Sequence, residues 1–311
     1  VATLHIYALG RLCIFCDQTP LEFPTTKAQD LLCFLLLHAG QTLERELIAE
    51  QLWPMRTPGK ARRCLSTTLW RLRQAMECLD HPTQPYLLTE RSTLAFNTTA
   101  PYSFDVQVFE RQAAFGLAGS LPCAEAHHRA LEEAQELYGG DLLEGCYDDW
   151  CLAERERLQL LLLRVLKRLQ RHYRLCGAFE AAISHGHRLV ALDPLQEDVH
   201  RELMRCYVDA GQRSLAVEQF QRCRKTLRRE LQIEPMPETW QLFRRIRGSH
   251  EPAPLRGTRE DCCAPLQAAL AQFRQALDTL ESTWHALQAV TAEFVETSES
   301  TQDGTIYPEH G

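Results

Sequence analysis

Leu169, Tyr173, Gly177 and Ala182 recur as Leu203, Tyr207, Gly211 and Ala216, each displaced by the same 34 residues. That period belongs to stacked helix pairs. Leu and Tyr fill the gap between the paired helices, Gly makes the turn, and Ala lets the second helix approach closely. A chain with this repeat must be helical there, and each pair must bury its face against a neighbour. The helical reading runs from about residue 103 to about residue 248. FDVQVFERQAAFGLAG at 104–119, ALEEAQELY at 130–138 and the long stretch 150–175 place apolar residues at three- and four-residue steps. The period is the tetratricopeptide one, but it says little about a ligand. Such pairs present a groove to a peptide, to another part of the chain or to nothing.

The first hundred residues have a different character. LHIYAL at 4–9 and RLCIFC at 11–16 flank Gly10 and read as a hairpin, and PLEF at 20–23 suggests a further short strand. KAQDLLCFLLLHA at 27–39 reads as an apolar helix ended by Gly40, and LERELIAEQLW at 43–53 as an amphipathic helix stopped by Pro54. YLLTERSTLAFN at 86–97 reads as a second hairpin with its tip near Arg91, Ser92 and Thr93. Between them lies a third helix, opened by Thr57-Pro58. Pro is tolerated at the first helical position, where Thr57 is placed to cap.

This third helix is where charge collects. The whole chain carries a formal net charge of −7, yet residues 56–76 contain Arg56, Lys60, Arg62, Arg63, Arg71 and Arg73 with no Asp or Glu. Leu65, Leu69, Leu72 and Met76 form the stripe to be buried. Arg63, Ser66, Thr67, Trp70, Arg71 and Gln74 lie opposite, with Arg62 and Arg73 on the flanks. Arg reads guanine bidentately, Gln can read adenine, and hydroxyls bond bases or phosphates. Trp70 is expected to pack on a sugar or a thymine methyl; the plainer expectation is a solvated basic face with Trp70 covered by a neighbouring segment. Lys60, Arg62, Arg63, Ser66, Thr67, Trp70, Arg71, Arg73 and Gln74, with Arg91, Ser92 and Thr93 at the hairpin tip, are the candidate contacts to double-stranded DNA.

Strands, three helices and a β-hairpin are the order of a winged helix-turn-helix. LGRLCIF at 9–15, KAQDLLCFLLLHAGQ at 27–41, ELIAEQLWP at 46–54 and ARRCLSTTLWRLRQAM at 61–76 resemble the OmpR/PhoB-type output domain. The version in antibiotic-regulatory, SARP-type transcriptional activators is more similar still. YGGDLLEGCYDDWCLAERERLQ at 138–159 and ELQIEPMPETWQLFRRI at 230–246 resemble the bacterial transcriptional activator domain that follows it there. The resemblance implies a promoter-binding regulator that helps recruit RNA polymerase, with the third helix in the major groove and the wing on the minor groove or backbone. It places Arg63, Ser66, Thr67, Arg71 and Arg73 at DNA-contacting positions. Trp70 departs from the basic residue common there, and Arg73 can equally be a salt bridge inside the domain. Asp141, Asp148, Trp150 and Glu154 are implied to be packing and capping positions.

The fold class expected is therefore mainly α: a winged helix over 1–100, helical repeats over 101–248, a Pro-rich linker over 249–262, a heptad helix over 263–297 and a disordered tail over 298–311. Leu266, Leu270, Phe273, Leu277, Leu280, Trp284 and Leu287 alternate steps of four and three, and Phe294 follows seven further on. This a/d stripe pairs with a second copy, making a homodimer, or folds back onto the repeats. There is no GxxxxGK[ST] loop for ATP, no receiver segment for an intramolecular phosphorelay, and no dinucleotide or nucleophile motif, so neither an enzyme nor a cofactor is expected. No apolar run spans a membrane, and no secretory signal is visible, which points to the cytoplasm. The 13 cysteines are odd in number and irregular in spacing. Cys33, Cys64, Cys176 and Cys206 read as reduced, small apolar residues of helices. Cys13 and Cys16 have metal-like spacing but point to opposite faces of a strand. His127, His128, Glu132, His185 and His187 lack a third convergent ligand and read as helix-surface histidines, so no metal is expected. The alternative from another class is a helical-repeat interaction scaffold whose winged helix no longer reads DNA.

Overall fold

The computed structural model describes residues 3–77 and 85–248. The linker, the heptad segment 266–294 and the tail lie outside the described residues. β1 (Leu4–Tyr7) and β2 (Cys13–Cys16) form the expected hairpin, pairing Leu4 with Cys16 and Ile6 with Ile14. The next strand, β3 (Thr19–Pro20), is shorter and earlier than the 20–23 expected. Pro24 has no N–H to donate to a ladder, and the chain turns there into α1 (Thr26–Leu37). α1 is buried along most of its length, from Ala28 to Leu36. Gly40 ends the turn with φ +85°, which a side chain would resist.

The second helix also starts later than expected. Leu43–Glu44 is a strand, β4, and α2 begins at Arg45 (Arg45–Leu52). The wing takes these two residues: β5 (Leu87–Thr89) and β6 (Thr93–Phe96) form a hairpin, and β4 pairs with β6 through Leu43–Leu94 and Glu44–Thr93. Between α2 and the wing runs α3 (Pro58–Met76), with Pro58 in its first turn. Thr57 occupies the N-cap position, but its hydroxyl makes no capping bond; its carbonyl accepts from the Lys60 and Ala61 amides instead. A strand not foreseen, β7 (Tyr102–Phe104), lies parallel to β1 and completes the sheet β3-β2-β1-β7.

The remainder is helical: α4 (Asp105–Ala118), α5 (Glu125–Leu137), α6 (Asp149–Leu175), α7 (Phe179–Leu192), α8 (Glu197–Asp209), α9 (Arg213–Glu230) and α10 (Pro237–Gly248). The repeat recurs bond for bond. Gly177 and Gly211 adopt φ +77° and +74° between α6 and α7 and between α8 and α9. The Ala178 amide donates to the Tyr173 carbonyl, as that of Gln212 does to Tyr207. Leu169, Leu203, Ala182 and Ala216 are fully buried. Three histidines depart from the surface expectation. His128 packs 4.4 Å from His172, His185 stacks on Tyr173 at 5.3 Å and His127 stacks on Phe115 at 4.6 Å, so all three are half-buried against aromatic rings between helices.

One apolar core runs from β1 and α1 through α4 and α6, and a smaller one joins α8, α9 and α10. Polar bonds reinforce the seam between winged helix and repeats. The buried Asp105 carboxylate accepts the Ala8 and Leu9 amides at 2.8 Å each. Burial pulls its pKa up against those donors. The Leu143 amide donates to Ala8 O at 2.8 Å, and Phe34 of α1 meets Trp150 of α6 edge to face at 5.4 Å. Among the described residues no helix is long and apolar enough to cross a membrane.

Candidate nucleic-acid interface

α3 owes its surface to its period. Ala61, Leu65, Thr68, Leu69, Leu72 and Met76 are buried against α1 and α2. Every residue that does not fall on this stripe is pushed outward. Lys60, Arg62, Arg63, Ser66, Thr67, Trp70, Arg71, Arg73 and Gln74 are all exposed. Ala61 and Thr68 join the buried stripe without having been read from the apolar pattern, because small or β-branched residues also fill a helix contact. Trp70 is 59% exposed, so no described segment covers it, contrary to the plainer expectation.

The exposed side chains divide into two sets. Arg63, Thr67 and Arg71, four residues apart, line a shallow hollow of about 360 Å³ with Thr25, Lys27, Trp53, Cys64 and Thr68. No carboxylate lines it. Among the described residues, the guanidinium groups of Arg63 and Arg71 make no hydrogen bond or ion pair. The hydroxyl of Thr25, which stands at the N-cap of α1, is buried with no partner among the described atoms. Lys27 adds a third cation. Its ammonium bonds Asp148 and lies 3.3 Å from Asp30. Burial works against the Lys27 charge, but Asp148 and Asp30 outweigh it and hold its pKa above the ordinary value. Asp148, expected to cap α6, makes no side-chain cap bond and serves as this counter-ion instead.

The other flank is occupied by the domain itself. Arg62 pairs with Glu46 at 3.2 Å, and Ser66 donates back to the Arg62 carbonyl at 3.0 Å. Arg45 reaches Ser66 Oγ at 3.4 Å. Arg73 donates to Thr89 Oγ1 of β5 at 2.6 Å, tying the end of α3 to the wing. That is the internal role foreseen for it, with a hydroxyl in place of a carboxylate. At the wing tip Arg91 and Ser92 are exposed and Thr93 is half-buried. Ser92 O accepts the Arg45 amide at 2.8 Å, and Thr93 Oγ1 donates to Glu90 at 3.4 Å. Lys27, Thr25 and Arg45 lie beside these side chains without having been read as candidates from the sequence. In sequence Lys27 is only the first polar residue of an apolar helix, and nothing local places it beside Arg63.

The family model of the Transcriptional regulatory protein, C terminal, matches residues 20–93, and that of the Bacterial transcriptional activator domain matches residues 104–247. The chain carries the OmpR/PhoB-type winged helix followed by the bacterial transcriptional activator domain, the two domains of SARP-type transcriptional regulators. It is similar to Transcriptional regulatory protein MoaR1 of Mycobacterium tuberculosis, 26% identical over 242 residues, 76% of this chain and 77% of that one. It is also similar to Regulatory protein DnrI of Streptomyces peucetius, 27% identical over 243 residues, 75% of this chain and 88% of that one. The fold matches Mycobacterium tuberculosis EmbR, solved in complex with a low affinity phosphopeptide. The TM-score is 0.69 at 20% identity, over 88% of this chain and 72% of that one. The regulator is thus a DNA-binding transcription factor with a winged helix joined to helical repeats, and its families are families of transcription regulators, not of enzymes.

Proposed function

We propose that the regulator inserts α3 into the major groove and acts as an activator. The observation that carries this reading is the carboxylate-free surface formed by Arg63, Thr67 and Arg71, whose two guanidinium groups have no partner among the described residues, on a helix whose opposite face is locked into the core. Arg63, Arg71 and Gln74 have the chemistry to read base edges, and Thr67 and Ser66 to bond bases or phosphates. Trp70 supplies an apolar face for a sugar or thymine methyl. Lys60, Arg62 and Lys27 lie where phosphates would flank the helix, and Arg91 at the wing tip faces the adjoining backbone or minor groove. Arg73, Ser92 and Thr93 act mainly by holding the wing against α3 and α2.

The helical repeats serve protein contacts, with RNA polymerase as the partner and the cytoplasm as the compartment. The heptad segment 266–294 holds two copies together, which gives two half-sites and raises effective affinity. The test is selection from a random-sequence DNA pool by the purified chain at several salt concentrations, with Arg63→Ala/Arg71→Ala alongside. Enrichment of a short motif, repeated at helical-turn spacing and lost in the double variant, supports the reading. Absence of binding at low salt overturns it.

A further inference from the structure

The last helix pair of the repeats carries a second collection of cations, distinct from that of α3. Residues 221–229 on α9 hold Arg222, Arg224, Lys225, Arg228 and Arg229 and no Asp or Glu. Gln221, Arg224, Lys225, Arg228 and Arg229 line an open hollow of about 400 Å³. Lys225 is exposed and makes no hydrogen bond or ion pair among the described residues. Arg229 pairs with its neighbour Glu230 at 2.7 Å, and both side chains stand in water, so that pair exchanges at little cost. Arg224 and Arg228 are fixed instead. Both donate to Glu234 in the loop before α10, and the Arg224 guanidinium lies 5.2 Å from the centre of the Trp240 ring. Apolar side chains continue this surface. Leu231, the C-cap of α9, stands three residues beyond Arg228, and Ile233 and Met236 flank the Glu234 clamp. They are 49%, 47% and 53% exposed. The loop that presents them is pinned. Gln232 turns it with φ +59°, and the Glu197 carboxylate of α8 accepts the Met236 amide at 2.9 Å and the Thr239 hydroxyl at 2.7 Å. Three apolar side chains held out to solvent by a fixed loop, beside Arg and Trp, have the composition and the preorganisation of a docking patch.

We propose that this face of α9 and the loop before α10 docks an acidic, amphipathic segment of a protein partner. The proposal rests on the reading of the repeats as the protein-contact domain and gives that contact a place and a chemistry. On a partner helix, carboxylates four residues apart share one face. Lys225 and Arg229 are spaced four apart as well and receive them, while the partner's apolar stripe covers Leu231, Ile233 and Met236. Nucleic acid fits this face less well. A phosphate backbone gains nothing from three apolar side chains, and the carboxylates of Glu230 and Glu234 beside the cations repel it.

The full chain is titrated with two synthetic helical peptides, one with Glu and Leu at three- and four-residue steps, the other with Gln for every Glu. The acidic peptide should bind in a salt-sensitive way, and the Gln peptide at least about tenfold more weakly. Lys225→Glu/Arg229→Glu should lose the acidic peptide by a similar factor, and Ile233→Ser/Met236→Ser by at least about fivefold, with thermal midpoints near that of wild type. Arg129→Glu, at an exposed cation of α5, should bind as wild type does. No binding of the acidic peptide at low salt overturns the proposal, as does equal binding by wild type and the charge-reversed variant. Random-sequence duplex DNA is the competing probe. If Lys225→Glu/Arg229→Glu loses that DNA and wild type ignores the peptide, nucleic acid is the occupant and the proposal falls. RNA polymerase holoenzyme separates this proposal from the reading beneath it. Polymerase bound by wild type and lost by both variants supports the two together. Polymerase bound equally by wild type and variants overturns this face as the dock and keeps the partner. Polymerase ignored by a wild type that binds the acidic peptide ends the polymerase reading alone.

Discussion

Arginine serves opposite ends in the two halves of the regulator. On the repeats, many guanidinium groups are matched to carboxylates or carbonyls. Arg174 binds Glu202 at 2.7 Å and Asp209 at 2.8 Å, Arg205 binds Glu202 at 2.9 Å, and Arg157 joins Glu154 and Glu110. Arg155 is spent on the carbonyls of Leu142, Leu143 and Cys146. On α3, Arg63 and Arg71 meet no acceptor among the described residues, and only Arg62 is neutralised by a carboxylate, that of Glu46. A protein that is acidic overall keeps its field positive along α3 by withholding acidic residues from positions 56–76. The difference teaches that net charge is no guide to a nucleic-acid surface. What counts is which cations the fold has left without an internal partner.

That contrast can be broken first at its extremes. Arg63→Ala/Arg71→Ala should lower affinity for a selected DNA site by at least about 100-fold, since each base contact contributes about 1–3 kcal/mol. Its thermal unfolding should stay within about 0.5 kcal/mol of wild type, as for other exposed positions. A matching loss of stability would show that these arginines are structural like those of the repeats. The reverse holds for Arg174→Ala. It strips one partner from the buried carboxylate of Glu202, leaving Arg205, and should cost about 2 kcal/mol in chemical denaturation while DNA affinity stays unchanged. Loss of DNA binding without loss of stability would reverse the assignment of the two regions.

Arg73→Ala probes a residue shared between the two uses. Loss of its bond to Thr89 should cost about 0.5–1 kcal/mol of stability and weaken DNA binding less than Arg63→Ala. An effect equal to that of Arg63→Ala would move Arg73 to the DNA contacts. Acid provides the finest test. His200 accepts from Gln219 at Nδ1 and donates from Nε2 to Pro194 O, and its burial holds its pKa below the ordinary value. The unfolded chain then binds the proton more readily than the folded one, so stability falls as pH drops below about 6.5. The thermal midpoint should decline between pH 7 and pH 5, and His200→Asn should flatten that decline. A midpoint that rises on acidification would contradict the buried, neutral ring.

Much of the interface was legible before folding was considered. The faces of α3 follow from the spacing of Leu65, Leu69, Leu72 and Met76, and every outward residue read from that spacing is exposed. The repeat turns at Gly177 and Gly211 were equally legible, because a positive φ and a small buried Ala leave a mark at one fixed offset. The start of α2 was misread because Leu43 and Glu44 fit a helical pattern. Only the nearby wing strand shows that their backbone groups belong to a sheet. Cys176, read as a small apolar helix residue, is exposed at the C-cap of α6, where the helix ends too soon to turn it inward.

Sequence alone determined the features that arise within a few residues: helix faces, capping prolines, glycine turns and the 34-residue period. Their physics is local, set by backbone geometry and by which side chains share a face. Tertiary structure decided where distant groups meet. Lys27 and Asp148 are 121 residues apart, and Asp105 lies 97 residues from the Ala8 amide it accepts. No period encodes those pairings. They exist because the shared core of α1, α4 and α6 sets three elements at one seam, where desolvated groups must find partners.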